Sequence, residues 1–153
     1  MKTRLDLDQI NPAAYRAVMG LEGYIQKSGL DKTLLELIKT RASQINRCAF
    51  CLDMHTKDAR HRGETEQRLY ALNAWEETPF FTPPERAVLA LTEAVTQISE
   101  QGVSDEVYER VSRYFTPEQI TQVLMAIVTI NAWNRIAITT RLVPGSYHVE
   151  TAA

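Results

Sequence analysis

Thr82-Pro83-Pro84-Glu85 and Thr116-Pro117-Glu118-Gln119 constrain this chain more than anything else in it. Each combines a hydroxyl N-cap, proline in the first turn and an acid or amide three residues on, which together specify a helix start. Asn11-Pro12, Asp31 and Ser104 add three more cap signals. Runs of β-branched residues in strict alternation are almost missing between them, so a sheet has little to build on. The reading is one all-α domain of about seven helices over residues 1–145, followed by an aperiodic polar tail, 146–153. The two similar starts hint at a duplicated helical unit, but no longer repeat supports it.

The helices follow from apolar spacing. The first runs from Pro12 towards Gly29, and the second carries Leu34, Leu35, Leu37, Ile38, Ala42 and Ile45. A third starts near Cys48 and stops at Gly63, and a short fourth carries Leu69, Leu72 and Trp75. The fifth opens at Thr82, the sixth at Ser104, and the seventh and longest at Thr116. That last helix is apolar on nearly all sides, the pattern of a central helix or a subunit contact.

Composition excludes several classes. At 153 residues, the chain fits the roughly 100–200 residues of one domain. With 44% apolar and 24% charged residues it is not a disordered chain. Lys plus Arg total 17 against 19 Asp plus Glu, with no charged block, so no nucleic-acid partner is expected. The opening MKTRLDLDQINP lacks the apolar core of a secretory signal, and the longest unbroken apolar run, Val123 to Val128, is far short of a bilayer span. A cytoplasmic protein without a membrane partner is expected. Two cysteines three residues apart are then not a structural disulfide framework.

Cys48-Ala-Phe-Cys51-Leu-Asp-Met-His55 carries the chemistry. At about 100° per residue, Cys48, Cys51 and His55 share one helical face within roughly 60°. The helix N-terminus, the imidazole one turn on and Arg47 all favour a thiolate. A second thiol one turn away allows a disulfide to close after the first is oxidised. Two plainer readings stand beside this one: a zinc half-site, and two inert buried cysteines. Structural zinc wants four ligands, but no second Cys/His pair exists, and His61 lies about 120° round the helix. No metal is therefore expected.

Glu36 poses a sharper question. If the second and third helices form a hairpin near Asn46-Arg47, Glu36 and His55 lie roughly 15 and 12 Å from the turn, nearly level. The helical wheel objects: Glu36 falls with Thr40 and Ser43 opposite the apolar stripe. On pattern alone it is a solvated surface glutamate.

Glu36, eleven intervening residues, Cys48-x-x-Cys51, then three residues and His55 together resemble the alkylhydroperoxidase D-like group of the carboxymuconolactone decarboxylase superfamily. The flanking Arg41-Ala-Ser-Gln-Ile-Asn46 and His55-Thr-Lys-Asp-Ala-Arg60 resemble the family core, as do Ala74-Trp75 and the helix opened at Thr82. The likeness extends from Glu36 to about Arg135. Two positions depart from it: Arg47 stands where such proteins often have glycine, and Phe50 stands where the well-known peroxidase has histidine.

The resemblance implies an all-α fold, assembly as a homo-trimer or homo-hexamer, and a burial for Glu36 that the wheel does not give it. Decarboxylases of the superfamily lack the cysteine pair, so its presence favours the redox branch. By resemblance and chemistry together, the chain reads as a thiol-dependent peroxidase acting on a small-molecule peroxide. Cys51 is the nucleophile because His55 is its i+4 neighbour, Cys48 resolves the sulfenic acid, and Glu36 holds His55. No bound cofactor is expected, only an external dithiol or thiol reductant. The alternatives are a lactone or decarboxylation enzyme using His55 and Glu36 as acid and base, and a non-catalytic redox sensor that changes assembly. Tyr24, Phe80, Phe81 and Trp133 are candidates to shape an apolar pocket, and Trp133-Asn134-Arg135 either line it or form a subunit contact.

Overall fold

Both Thr-Pro signals open helices by reciprocal hydrogen bonding. The Glu85 amide donates to Thr82 Oγ1 at 3.4 Å while the Thr82 amide donates to Glu85 Oε2 at 2.7 Å. Thr116 and Gln119 repeat the exchange at 3.3 and 2.9 Å. Each box satisfies two amides that the first turn leaves unpaired. Asn11, Asp31 and Ser104 likewise accept from the amide three residues on.

A computed structural model of the chain describes residues 2–149. Its described residues form α1 (Leu7–Ile10), α2 (Pro12–Lys27), α3 (Lys32–Asn46), α4 (Ala49–His61), α5 (Glu66–Ala71), a 3-10 turn over Leu72–Glu77, α6 (Pro83–Thr96), α7 (Ile98–Gln101), α8 (Asp105–Ser112) and α9 (Pro117–Thr140). The all-α expectation holds, and no strand occurs among the described residues. The expected count of about seven becomes nine α-helices among the described residues. The additions, α1 and α7, are four residues each, too short to show a 3.6-residue period. The fourth expected helix splits into α5, which ends at Ala71, and the 3-10 turn from Leu72, which is itself kinked at Ala74, whose φ of −124° is not helical. The CxxC segment therefore opens the fourth helix rather than the third.

Helix α3 is the hub. It packs against α4, α6 and α9 and touches the 3-10 turn. On one side Leu34, Leu35 and Ile38 join Ile25, Val88, Leu91, Val123 and Ile127 in the main core. On another, Leu37 meets Leu72, Trp75, Phe81 and Leu89. Each such side chain contributes roughly 1.5–3 kcal/mol by leaving water. A third cluster joins Ala42 to Cys48, Cys51, Ile130 and Ala137, and this one positions the site.

Helix α9, 24 residues long, is apolar and long enough to cross a membrane by length and composition. It nevertheless packs against α2, α3, α4, α6 and α8. On its buried side Asn134 donates to Ser43 Oγ at 3.0 Å and accepts from Asn46 Nδ2 at 2.9 Å. The helix thus acts as a packing centre with specific polar partners, as its all-round apolar pattern suggested.

The chain after α9 has no regular structure to residue 149, and residues 150–153 of the expected tail lie outside the described residues. The segment is tied to α4 all the same. The Gly145 amide donates to Asp53 Oδ2 at 3.0 Å, Lys57 Nζ donates to the Tyr147 carbonyl at 3.0 Å, and the Tyr147 hydroxyl donates to Asp58 Oδ1 at 2.7 Å.

Candidate active site

The turn between α3 and α4 sets the cysteines in place. Arg47 ends α3 with φ 57° and ψ 40°, in the left-handed region. That conformation costs a side chain about 1–2 kcal/mol, which is the physical reason a glycine suits this position. The reversal lets the Cys48 amide donate back to the Ser43 carbonyl at 3.0 Å. Cys48 then becomes the N-cap of α4, its Sγ accepting from the Cys51 amide at 3.4 Å. Asn46 fixes the same turn from the α9 side by donating to Asn131 Oδ1 and Asn134 Oδ1, both at 2.9 Å.

Cys48 and Cys51 are joined as a disulfide, with Cα atoms 5.4 Å apart. One turn further on, His55 Nδ1 stands 3.0 Å from Glu36 Oε2. Both are buried, His55 at 7% and Glu36 at 4% exposure. The wheel's surface assignment of Glu36 is thereby corrected. Its wheel neighbours Thr40 and Ser43 are buried too, because α3 is covered on several sides and a polar stripe on it faces protein. The hairpin estimate placed Glu36 and His55 level, and they meet. Arg62 Nε lies 3.8 Å from the second Glu36 oxygen.

A cavity of about 320 Å³ opens beside this pair. Helix α4 lines it with Phe50, Cys51, Met54, His55 and Asp58; α3 with Glu36 and Lys39; α2 with Tyr15, Met19, Glu22 and Gln26; α9 with Trp133 and Ala137. Arg62 and Leu142 complete the lining. Cys48 is buried and is not part of it. The Tyr15 and Trp133 rings meet edge to face, centroids 5.6 Å apart. One part of the wall is thus aromatic and aliphatic, and the other is charged.

The charged part includes residues that the sequence did not single out. Lys39 Nζ lies 2.6 Å from Glu22 Oε1, which also accepts from Gln26 Nε2 at 2.9 Å. Burial pushes the Glu22 carboxyl up, but the Lys39 ammonium, with help from Gln26 and His55, outweighs it and holds the carboxyl below its usual range.

Other expectations are resolved individually. Trp133 lines the cavity, Asn134 is a buried structural amide, and Arg135 turns back to the Asn131 carbonyl at 2.9 Å. Tyr24 and Phe80 are exposed, and Phe81 belongs to the second core cluster, so these three do not shape the pocket. Arg47 is exposed and lines a separate groove with Arg41 and Asn73. Glu36, His55 and Asp58 bring donor atoms within 4.8 Å of one another, but His55 faces Glu36, and Asp58 accepts from Tyr147. Both cysteine sulfurs are engaged in the disulfide.

Comparison with known proteins places the chain in a family and matches its fold. Residues 12–94 match the model of the carboxymuconolactone decarboxylase family. The uncharacterised protein YdfG of Bacillus subtilis is 46% identical over 138 residues, spanning 90% of this chain and 94% of YdfG. The crystal structure of an Agrobacterium tumefaciens protein of unknown function, provisionally named an antioxidant defence protein AhpD, superimposes with a TM-score of 0.92 at 44% identity, covering 95% of this chain and all of that one. The debrominase Bmp8 superimposes with a TM-score of 0.79 at 20% identity over 89% of this chain and 73% of its own, a likeness of fold.

Proposed function

This chain is an AhpD-like member of the carboxymuconolactone decarboxylase family, and from that premise we propose that it is a thiol-dependent peroxidase cycling through the Cys48–Cys51 disulfide. The observation that carries the reading is one shared cavity wall. The redox pair reaches it through Cys51, and the buried Glu36–His55 pair reaches it one turn away.

In the proposed cycle His55 takes the Cys51 proton, and the thiolate attacks the terminal oxygen of a hydroperoxide. The O–O bond breaks, leaving Cys51 sulfenic acid and an alkoxide, which leaves as alcohol with a proton returned by His55. The Cys48 thiol condenses with the sulfenic acid, forming the disulfide and releasing water. An external dithiol then gives up two electrons and two protons to restore both thiols, becoming a disulfide itself. Glu36 acts through His55, holding Nδ1 so that the other ring nitrogen can face the cavity. Such a cycle requires a reducing compartment, so we assign the protein to the cytoplasm.

The site is proposed to work without a resident metal or cofactor. Elemental analysis should find no stoichiometric zinc on the reduced protein. One zinc per chain, lost on Cys48→Ser, would reverse that assignment. The buried Glu36–His55 pair also suits a second reading, acid–base chemistry on a lactone without the thiols. Peroxide consumption with several dithiols decides between them. The peroxidase reading requires turnover that is lost when both cysteines become serine, and the lactone reading requires an activity that survives the same change.

A further inference from the structure

The Lys39–Glu22 ion pair has no role in the cycle above, yet it forms part of the same cavity wall as Cys51. Its side chains are only 5% and 19% exposed. Structural support alone explains it poorly, because a buried ion pair rarely stabilises more than apolar groups of similar volume. We propose that Lys39 is a positioning residue that holds Cys51 in its thiolate form, and that Glu22 limits how much of the lysine charge the cavity feels. The inference rests on reading Cys51 as the nucleophile.

The charges around the cavity make the case. Helix α2 presents Glu22 and the Tyr15 phenol, α3 presents Glu36 and Lys39, and α4 presents His55 and Asp58, with Arg62 just past its end. Helix α9 contributes only uncharged Trp133 and Ala137. Three carboxylates thus face a wall on which reduction of the disulfide and loss of the Cys51 proton create one more negative charge. Two cations oppose them. Arg62 is 41% exposed and leans on Glu36, so water screens it. Lys39 is held out of water, where a charge acts through a lower effective dielectric. The residue just before Cys51 is Phe50, whose ring supplies neither charge nor proton acceptor.

The two partners must then act on Cys51 with opposite signs. Across a cavity of this size, removing one unit charge should move the thiol by about one pKa unit, or about tenfold in the thiolate-to-thiol ratio at fixed pH. The test titrates Cys51 in reduced full-length protein carrying Cys48→Ser, by ultraviolet thiolate absorbance against pH. Lys39→Met should shift the titration upward by about one unit, and Lys39→Arg should restore it. Glu22→Gln should shift it downward, and Lys39→Met with Glu22→Gln should bring it back near the starting position.

A merely structural pair would lower stability in both single variants without moving the thiol in opposite directions. No shift, or shifts of one sign, would overturn the proposal. If Lys39→Met loses its helical circular dichroism, Glu22→Gln decides alone: a downward shift supports the proposal, and an unmoved titration overturns it. The titration needs no peroxide. Opposed shifts in a protein that consumes no peroxide would leave the lysine's role standing and count only against the peroxidase reading.

Discussion

His55 Nδ1 and Glu36 Oε2 meet at 3.0 Å across the α3–α4 hairpin, nineteen residues apart in the chain. An imidazole paired in this way is held in one ring orientation, which in the proposed cycle leaves its other nitrogen for proton exchange. Glu36→Gln keeps the shape and removes the carboxylate. In the proposed cycle it should slow peroxide turnover by about 100-fold while leaving the fold intact. A Glu36→Gln protein with unchanged turnover would remove Glu36 from the proton path.

Asn134 is completely buried and bridges Ser43 on α3 to Asn46 at the turn before Cys48. Asn134→Ala removes both bonds, leaving Ser43 without this partner and Asn46 with Asn131 alone, and should cost about 1–3 kcal/mol in urea unfolding. A loss below about 0.5 kcal/mol, the size of an ordinary surface change, would show that the bridge is dispensable.

Arg68 joins Glu64 and Glu85, with nitrogen–oxygen distances of 2.9 and 2.6 Å. Burial pushes the Glu85 carboxyl up, but Arg68 and the Thr82 cap outweigh it and hold it below the usual glutamate range. A carboxyl lowered by folding adds stability above its unfolded value and gives that up as pH falls through the folded one. The stability gap between wild type and Arg68→Leu should therefore be widest near neutral pH and shrink below about pH 4. A gap that stays constant down to acid unfolding would contradict this.

Leu124 and Val128 stand one turn apart on α9, each about two-fifths exposed at 40% and 41%, and Ile138 is exposed further along. With the family resemblance, this apolar surface supports the proposal of a homo-trimer or homo-hexamer. Light scattering at micromolar concentration should give a multiple of 17.4 kDa, lowered by Leu124→Glu with Val128→Glu. A wild-type protein with the mass of one chain would refute it.

How much of this was legible depended on the range of each interaction. Thr82, Thr116, Asn11, Asp31 and Ser104 announced their helices because a cap bonds only three residues ahead. Cys48, Cys51 and His55 were legible as a group because one helical turn joins each to the next. Glu36 was not legible from periodicity. A wheel reads one apolar face, whereas α3 is covered on several sides and buries Glu36, Lys39, Thr40 and Ser43 among protein neighbours. The Lys39–Glu22 pair spans seventeen residues and two helices, leaving no local mark. The hairpin register set Glu36 level with His55, the wheel turned it outward and the family resemblance turned it back, whereas nothing in the chain brought Glu22.

The roles of the two thiols are the centre of the account, and a single-turnover experiment on pre-reduced protein tests them most directly. One equivalent of hydroperoxide is added and sulfenic acid is trapped with a dimedone-type probe. Cys48→Ser should react once, carry the adduct on Cys51, and then stall or over-oxidise for want of a resolving thiol. Cys51→Ser should not react in that turnover. An adduct on Cys48 in the Cys51→Ser protein, with the burst intact, would reverse the roles, and a burst that survives both substitutions would remove the cysteine pair from the chemistry.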